Sequence, residues 1–218
     1  GKKLDIPAWK RFIDWQIDMG SSALVPCGTT GEASTMDNDE HHKTIGVCVE
    51  QAAGRVPVIA GCGSNDTRTA LWHMQVAKDL GADAALMVAP YYNRPSQAGL
   101  EAHFRAVAAA TDLPVMLYDI PIRAGRKIAF DTLVRLADEV PNVVALKDAA
   151  GNPAETAALI AATPDDFDVR PCSPVMGVSR PAIEASRVCG KSARSATTTL
   201  SRPTDLALAA SNRCRLIT

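Results

Sequence analysis

The sequence predicts an α/β protein built as a parallel β/α barrel, the TIM-barrel fold class, and three observations favour that class. From Ile6 to about Val169, strand-like and helix-like segments alternate along the chain. The strand-like segments begin near residues 23, 56, 84, 114 and 143, about 30 residues apart, which is the length of one βα unit. They are apolar along their whole length, as expected for parallel strands that are covered by helices.

Local signals set the bounds of each element. Asp37 stands three residues before Glu40, a capping-box-like start for one helix, and Gly81 is the residue expected just after the end of the next. Strands are predicted over 23–25, 56–60, 84–88, 114–118 and 143–147, and helices over 8–19, 37–53, 67–80, 97–110, 130–139 and 153–162.

Periodicity alone leaves an open doubly wound sheet as an alternative, but the loops favour the barrel. Polar and glycine-rich clusters follow every predicted strand, at 28–32, 61–65, 91–94, 118–123 and 147–152. In a barrel the C-terminal ends of all the strands converge on one site, so that separate loops can act together. An open sheet would concentrate the chemistry at a single switch point.

Composition narrows the functional class. The 218 residues suffice for one domain, and the formal net charge of -1 argues against a nucleic-acid groove or an anionic membrane surface. No apolar run approaches the roughly 20 residues of a membrane helix, and no hydrophobic signal core follows Gly1. Six cysteines lack any Cys-x-x-Cys spacing, so they are interpreted as reduced, mostly buried thiols. A cytoplasmic enzyme is expected.

Lys147 is the principal catalytic candidate, because it ends the predicted strand that starts at Val143. A lysine at the end of a central parallel strand points towards the barrel mouth. Desolvation there penalises the ammonium form and lowers its pKa. The neutral amine can then attack a carbonyl carbon. The alternative for such a residue is a lysine that extends from the strand end into solvent.

Other polar residues at strand ends have two interpretations each. Tyr118 could transfer protons or be a core tyrosine with a satisfied hydroxyl. The turn from Gly28 to Gly31 suits a carboxylate or a phosphate equally. Arg123 could bind an anionic substrate or be solvated. His41 and His42 are interpreted as helix surface without a metal, because no third ligand stands at a suitable spacing.

Taken together, four motifs make the chain similar to a known family. It resembles the dihydrodipicolinate synthase family of lysine-dependent (class I) pyruvate aldolases from Ile6 to about Val169. The motifs that carry the resemblance are Gly-Thr-Thr-Gly-Glu at 28–32, Pro-Tyr-Tyr-Asn-Arg-Pro at 90–95, Tyr-Asp-Ile-Pro-Ile-Arg at 118–123 and Leu-Lys-Asp-Ala-Ala-Gly at 146–151.

The resemblance implies a reaction through a lysine Schiff base, without an external cofactor. Lys147 matches the lysine that condenses with pyruvate, and the resulting enamine attacks aspartate semialdehyde in lysine and diaminopimelate biosynthesis. Tyr118 matches the proton-transferring tyrosine, and Thr29 the threonine that relays protons between tyrosines. Tyr92 matches a tyrosine that the family inserts from a neighbouring subunit. A homo-oligomer, a dimer or a dimer of dimers (homotetramer), is therefore implied.

The same resemblance implies how substrates are bound. Thr30, beside Gly28, matches the threonine that holds the pyruvate carboxylate. Arg123 matches the arginine that binds the carboxylate of the semialdehyde. Related N-acetylneuraminate lyases and keto-deoxy-sugar-acid aldolases usually lack an arginine at this point, so Arg123 favours the synthase over these lyases.

A regulatory site is matched only in part. His41, Asn65 and Tyr91 match the site at which lysine inhibits the family, whereas Asn38 and Thr69 replace a histidine and an acid found in strongly inhibited members. Weak or absent lysine inhibition is expected.

The resemblance does not cover the whole chain. The family's opening strand is not matched at the N-terminus. Residues 1–169 are therefore predicted to be the barrel portion that carries the active site, and 170–218 an atypical tail. The tail has scattered prolines and no convincing strand, and only 205–210 looks helical. Its abrupt change in composition is interpreted as a shifted reading frame or an inaccurately determined sequence. An inactive barrel fragment that only binds a keto acid or a partner subunit is the alternative from another functional class.

Overall fold

The helices follow the sequence-predicted order. The structure is a computed structural model and describes residues 3–172 and 216–217. A single 3-10 turn, Ala33–Thr35, precedes the second helix. The α-helices are α1 (Ile6–Asp18), α2 (Asn38–Ala52), α3 (Thr67–Asp79), α4 (Gln97–Ala109), α5 (Pro121–Ala124), α6 (Phe130–Glu139) and α7 (Pro153–Ala162).

The strands are all parallel. They are β1 (Ala23–Leu24), β2 (Ile59–Gly61), β3 (Ala84–Val88), β4 (Val115–Asp119), β5 (Val143–Asp148), β6 (Asp168–Pro171) and β7 (Leu216–Ile217). Strands β2 to β6 form one sheet in sequence order, and β7 pairs with β1. A parallel bridge between Leu24 and Val58 joins the two groups. From β1 to β6 the order of strands along the chain is therefore also their order in space, as in a β/α barrel, and β7 lies on the other side of β1.

Capping explains several of the boundaries. The Asp37 carboxylate accepts a hydrogen bond from the Glu40 backbone N–H at 2.8 Å, which begins α2 where the sequence predicts it. Gly81 has a φ of +83° directly after the cap of α3, a conformation that glycine adopts without steric cost. The predicted bounds of β3, α6 and α7 agree with the structure.

Two apolar layers lie on the two faces of the sheet. Along β4, Val115 and Leu117 pack into the larger layer beneath the helices, whereas Met116 and Tyr118 belong to the smaller layer on the opposite face. This alternation is the period of two of a β-strand. The smaller layer occupies the barrel interior, and consecutive helices pack against one another around the outside. The α/β class and the β/α barrel architecture are thus confirmed over the described residues.

The structure corrects the sequence-based elements at three points. Residues 121–124, predicted as loop, form the short helix α5, because Pro121 suits the first turn of a helix. Strand β6 was not predicted, although its Val169 completes the apolar layer under the helices. The prediction that the tail contains no strand is wrong at 170–171, which belong to β6 and pair with β5, and at Leu216–Ile217, whose backbone pairs with β1. The predicted helix at 205–210 lies outside the described residues.

Two expectations from composition can be compared with the structure. In the described part of the chain, no helix is both long and apolar enough to cross a membrane. Cys27, Cys48 and Cys62 are buried, in agreement with the predicted burial, whereas Cys172 is exposed.

Candidate active site

Lys147 and Tyr118 lie side by side at the C-terminal ends of adjacent strands. The register of β4 against β5 pairs Tyr118 directly with Lys147, so both side chains project from the same face of the sheet. The Lys147 Nζ atom lies 4.4 Å from the centre of the Tyr118 ring. Both residues are buried, Lys147 with 3% and Tyr118 with 4% of its surface exposed. The lysine does not extend into solvent.

Burial changes the acid–base behaviour of Lys147. Desolvation lowers the pKa of its amine, and the nearby Cys172, when ionised, acts in the opposite direction. An amine with a lowered pKa is neutral in a larger fraction of molecules near pH 7 and can act as a nucleophile towards a carbonyl carbon. Sequence reasoning did not assign Cys172 to the site. The only available signal was its position at the end of a strand that was itself missed.

The Tyr118 hydroxyl is connected to two of the other predicted residues. Burial, reinforced by Cys172, raises the pKa of this phenol. A hydrogen bond with the Thr29 side chain and the positive charge of Arg123 act in the opposite direction. Tyr118 therefore stays protonated at neutral pH, with a neighbouring hydroxyl with which it can exchange a proton.

A cavity of about 380 Å³ opens beside this pair. Its walls include Gly28, Thr29, Tyr118 and Arg123, four of the predicted catalytic or substrate-binding residues. Lys147 adjoins the cavity through its contact with the Tyr118 ring. The volume suits small metabolites, and the walls combine apolar strand residues with a few polar groups. The loops after β1 and β4 thus converge on one site, as a barrel requires.

Two predicted residues lie apart from these walls. Thr30 is exposed on the turn after β1. Tyr92 has 88% of its surface exposed, and its φ of +71° is unusual for a residue with a side chain. Its backbone N–H donates to the Ala124 carbonyl at 3.3 Å, which connects this loop to the end of α5. Tyr92 is not among the residues that line the cavity.

The predicted regulatory residues are divided between the cavity and its rim. His41 and Tyr91 line the cavity. Asn65 instead pairs with Asn93, accepting a hydrogen bond on its carbonyl at 2.8 Å and donating one from its side chain at 3.2 Å. This pairing connects the loop after β2 with the loop after β3.

A buried carboxyl group under the site had no predicted role. Asp119 is almost fully buried on the helix side of β4, next to Tyr118 in the chain. Burial raises its pKa to about 6, although the Ile128 N–H and the Lys127 ammonium favour the charged form. Lys127 lies 3.5 Å from this carboxylate and 2.9 Å from Glu155. The group anchors the loop from 120 to 128 to the strand.

The interpretation of His41 as helix surface is wrong, and a third histidine, His73, lies against His41 and His42. His41 is buried with 5% of its surface exposed, and α3 places His73 against both residues. The His42 Nε2 and His73 Nδ1 atoms are 3.0 Å apart, and the His41 and His73 ring centres are 4.3 Å apart. The third histidine was missed because it lies on a different helix, where no local spacing indicates it.

Comparisons with known proteins agree with this arrangement. The model of the dihydrodipicolinate synthetase family matches residues 1–176. A curated relative from Erythrobacter litoralis, named 4-hydroxy-tetrahydrodipicolinate synthase, is 62% identical over 149 residues, which are 68% of this chain and 51% of that protein. The chain thus spans about half the length of the curated relatives it matches.

Solved structures show the same similarity. The chloride-inhibited dihydrodipicolinate synthase of Acinetobacter baumannii, complexed with pyruvate, is 46% identical, with a TM-score of 0.74 over 76% of this chain and 57% of that one. The enzyme of Cyanidioschyzon merolae with lysine bound is 41% identical, with a TM-score of 0.76 over 78% and 57%. From the family match, the sequence identity and the shared fold, we conclude that the chain belongs to the dihydrodipicolinate synthetase family.

Proposed function

We propose that the chain provides the catalytic lysine of a lyase, a class I aldolase-type synthase that condenses pyruvate with aspartate semialdehyde in lysine biosynthesis. The observation that carries this proposal is the buried Lys147 amine, 4.4 Å from the Tyr118 ring beside the cavity. The names of the curated relatives support the same reaction. The pyruvate complex of the Acinetobacter baumannii protein supports the first substrate.

The proposed chemistry begins when the neutral Lys147 amine attacks the keto carbon of pyruvate. A carbon–nitrogen bond forms and one amine hydrogen moves to the oxygen; the hydroxyl then leaves as water with a proton donated by Tyr118, giving an imine that keeps the second amine hydrogen. This protonated imine is an electron sink, so a methyl proton of pyruvate can be removed and an enamine forms. The enamine carbon then attacks the aldehyde carbon of the semialdehyde, whose oxygen takes up a proton. The amino group of the semialdehyde next attacks the imine carbon, which closes a ring and breaks the bond to Lys147, releasing the free amine. No external cofactor is needed for these steps.

The proton transfers are assigned to Tyr118 and Thr29. The phenol of Tyr118 adjoins the Lys147 amine, where water is expelled and the imine forms. Its hydrogen bond with Thr29 offers a route for the proton away from the lysine. Tyr92 would complete this relay when supplied by a neighbouring subunit, which its 88% exposure permits.

Substrate carboxylates are assigned to the two polar ends of the cavity. Gly28 and Thr30 belong to the turn after β1, whose backbone N–H groups and hydroxyls suit the pyruvate carboxylate. Arg123 lines the cavity from the helix α5 and would hold the second carboxylate with two parallel hydrogen bonds. Arg123 is the feature that favours a semialdehyde acid over the acyl sugars cleaved by related lyases.

Turnover separates the synthase from its alternatives. The full 218-residue chain should consume pyruvate and aspartate semialdehyde together. It should not release pyruvate from N-acetylneuraminate or a keto-deoxy sugar acid. Release from a sugar acid would establish the lyase. A folded chain that binds pyruvate but turns over none of these substrates would be the inactive barrel fragment. An Arg123→Lys variant tests the role of Arg123. It keeps the positive charge but cannot form two parallel hydrogen bonds with the carboxylate of the semialdehyde, so turnover of the semialdehyde should fall.

We infer further that the chain acts as a homo-oligomer in the cytoplasm. The exposed Tyr92 ring supports the oligomer, because a large aromatic side chain at this position is suited to a partner's site. The free thiols Cys27, Cys48 and Cys62 support a reducing compartment. Residues 1–169 are proposed as the barrel portion with the active site and 170–218 as a separate tail.

Weak lysine inhibition is proposed for this chain. His41 and Tyr91 line the cavity, but Asn38 and Thr69 stand where strongly inhibited relatives have a histidine and an acid, so the ammonium groups of lysine would lack a carboxylate partner. A lysine titration of the synthase reaction should therefore leave most of the activity at concentrations that saturate inhibited relatives. Strong inhibition would contradict the assignment.

A further inference from the structure

A cluster of three histidines lies in the wall of the cavity, on the side formed by α2 and α3. His41 and His42 are on α2, and His73 is on α3. One ring nitrogen of each residue lies within 4.8 Å of the corresponding nitrogen of the other two. The chain has only four histidines in total, so three of the four meet at one point. This cluster is separate from the proposed roles of Lys147 and Tyr118.

The hydrogen bonds of His41 leave one lone pair free. Its ring donates to the Gly61 backbone carbonyl, while its Nδ1 atom is buried and has no hydrogen-bond partner among the described residues. A buried nitrogen without a partner costs free energy. Histidines that bind metals commonly donate their second ring N–H to a backbone carbonyl, which fixes the tautomer and orients the lone pair. His41 already has this arrangement.

The charge state of the cluster suits a cation. Burial lowers the pKa of His41 to about 4, and burial also lowers the pKa of His42 and of His73. A neutral ring is the form that donates a lone pair to a metal, so burial favours the form of all three histidines that can bind one.

The distances require only a local adjustment. Zn–N bonds of about 2.0–2.1 Å in a tetrahedral site place the ligand nitrogens about 3.3–3.4 Å apart. The His42 Nε2 and His73 Nδ1 atoms are now 3.0 Å apart and share one proton between them. If that proton moves to the far nitrogen of its own ring, both facing lone pairs become free for one ion. His42 is only half-buried, so its ring has room to turn.

We propose that His41, His42 and His73 form a binding site for a divalent transition-metal ion of the zinc class, with a fourth position open to the cavity. His41 and His73 both line that cavity, so a water molecule or a small anion can complete the coordination there. Three protein ligands and one open position are typical of zinc sites that exchange a ligand. The alternative is a metal-free cluster held by the His42–His73 hydrogen bond.

Cobalt(II) alone is the direct probe, because its visible spectrum reports both geometry and ligand type. The full chain titrated with cobalt should develop the d–d bands of a tetrahedral site, saturate at one ion per chain and release the cobalt to added zinc. A thiolate-to-cobalt charge-transfer band should be absent. Trp72 packs against His42 and His73, at ring distances of 4.7 Å and 5.4 Å, so its fluorescence should be quenched in parallel.

Two ligand variants and one matched control test the assignment. His42→Ala and His73→Leu should each weaken cobalt binding by about tenfold or more, the range that even outer partners of metal sites contribute. His103→Asn changes the fourth histidine, which bonds to the Thr67 hydroxyl at 2.8 Å, and should bind cobalt normally. Circular dichroism checks that each variant is folded. His42→Ala is expected to perturb the fold less than His73→Leu, because His42 is only half-buried.

The outcomes are distinguishable. Stoichiometric binding that is lost in both ligand variants but kept in the control establishes the site. Absence of binding by the folded chain overturns the proposal. A thiolate charge-transfer band, or equal affinity in all the variants, also overturns it, since the ion would then be bound elsewhere.

Discussion

The acid–base properties of Lys147 depend on the neighbouring side chain of Tyr118, which the sequence position of Lys147 does not specify. Strand β5 brings the residue to the barrel mouth, but the register with β4 places its amine against the Tyr118 ring. The ring packs against the amine and carries the phenol to which the proton transfers are assigned. A lysine is costly to bury in the charged form, so the arrangement trades stability for a reactive amine.

Removing the Tyr118 hydroxyl should impair turnover without disturbing the fold. Tyr118→Phe keeps the ring that packs against Lys147 but removes the group that hydrogen-bonds with Thr29. We expect the turnover number to fall by about 100-fold or more, the usual contribution of a positioned proton-transfer group. Steady-state kinetics measures the effect, and the melting temperature should change little.

Two variants of Thr29 form a matched pair for the same relay. Thr29→Ser keeps a hydroxyl next to Tyr118 and should retain most of the activity. Thr29→Val keeps the shape of the side chain but lacks the hydroxyl, and should lose most of the activity. Equal activity of these two variants would remove Thr29 from the proton route.

At the scale of elements, the close packing of the segment after β1 against the end of β2 depends on Gly61, the last residue of β2. A Cβ atom added to this residue would lie 2.0 Å from the Cys27 carbonyl oxygen, and the Gly61 N–H donates to the Pro26 carbonyl at 2.9 Å. The turn that begins at Gly28 is therefore held directly against β2. Backbone atoms provide this contact, so a larger side chain cannot be accommodated by a change of rotamer.

Gly61→Ala should destabilise the protein by about 1–3 kcal/mol or more, the usual cost of overpacking. Denaturant unfolding measures the change, and activity should fall as the turn with Gly28 and Thr29 shifts. Gly46→Ala provides the control. Gly46 lies within α2, and a Cβ atom added there would be 3.4 Å from the flexible Leu80 side chain. Alanine is a better helix former than glycine by about 0.8–1.0 kcal/mol. A Gly61 variant as stable as the Gly46 variant would contradict this account.

The sequence predicted most elements because each carries its own local signals. Apolar runs fixed β3 and β5, and the Asp37 cap fixed the start of α2. Strand β6 was missed because its four residues include both Asp168 and Arg170, which bond to each other. The Lys147–Tyr118 pair was predicted only by way of the family resemblance. The histidine cluster depends on the packing of α2 against α3, which no local pattern specifies.

At the scale of the whole molecule, the position of Tyr92 bears on the state of assembly. The residue is exposed on its own chain, and we propose that it serves a neighbour's site. A side chain that acts in a partner's site makes each site depend on two chains. Such dependence can be tested without a structure of the assembly.

Complementation between two inactive variants tests this dependence. Tyr92→Phe and Lys147→Arg should each have little activity alone. In a mixed dimer, one site combines an intact Lys147 with the other chain's intact Tyr92. Co-expression should therefore restore up to about one quarter of the wild-type activity for random reassortment of a symmetric dimer. No recovery, from chains shown to co-purify, would mean that Tyr92 acts within its own chain or not at all.

The chain spans about half of its curated relatives, and the proposed tail at 170–218 begins within β6. The backbone of Leu216–Ile217 returns to pair with β1. The tail thus contributes a parallel strand next to the first described strand of the barrel. Schiff-base formation at Lys147 tests whether the active site is functional in a chain with this tail.

The most direct test is to trap the Schiff base. The folded 218-residue chain is incubated with pyruvate and borohydride, and its intact mass and peptide map are measured. We predict one reduced pyruvate adduct per chain, located on Lys147 and absent from a Lys147→Met variant. We also expect trapping to occur readily near neutral pH, because burial lowers the pKa of this amine. A folded chain with no adduct, or with an adduct on another lysine, would contradict the central claim.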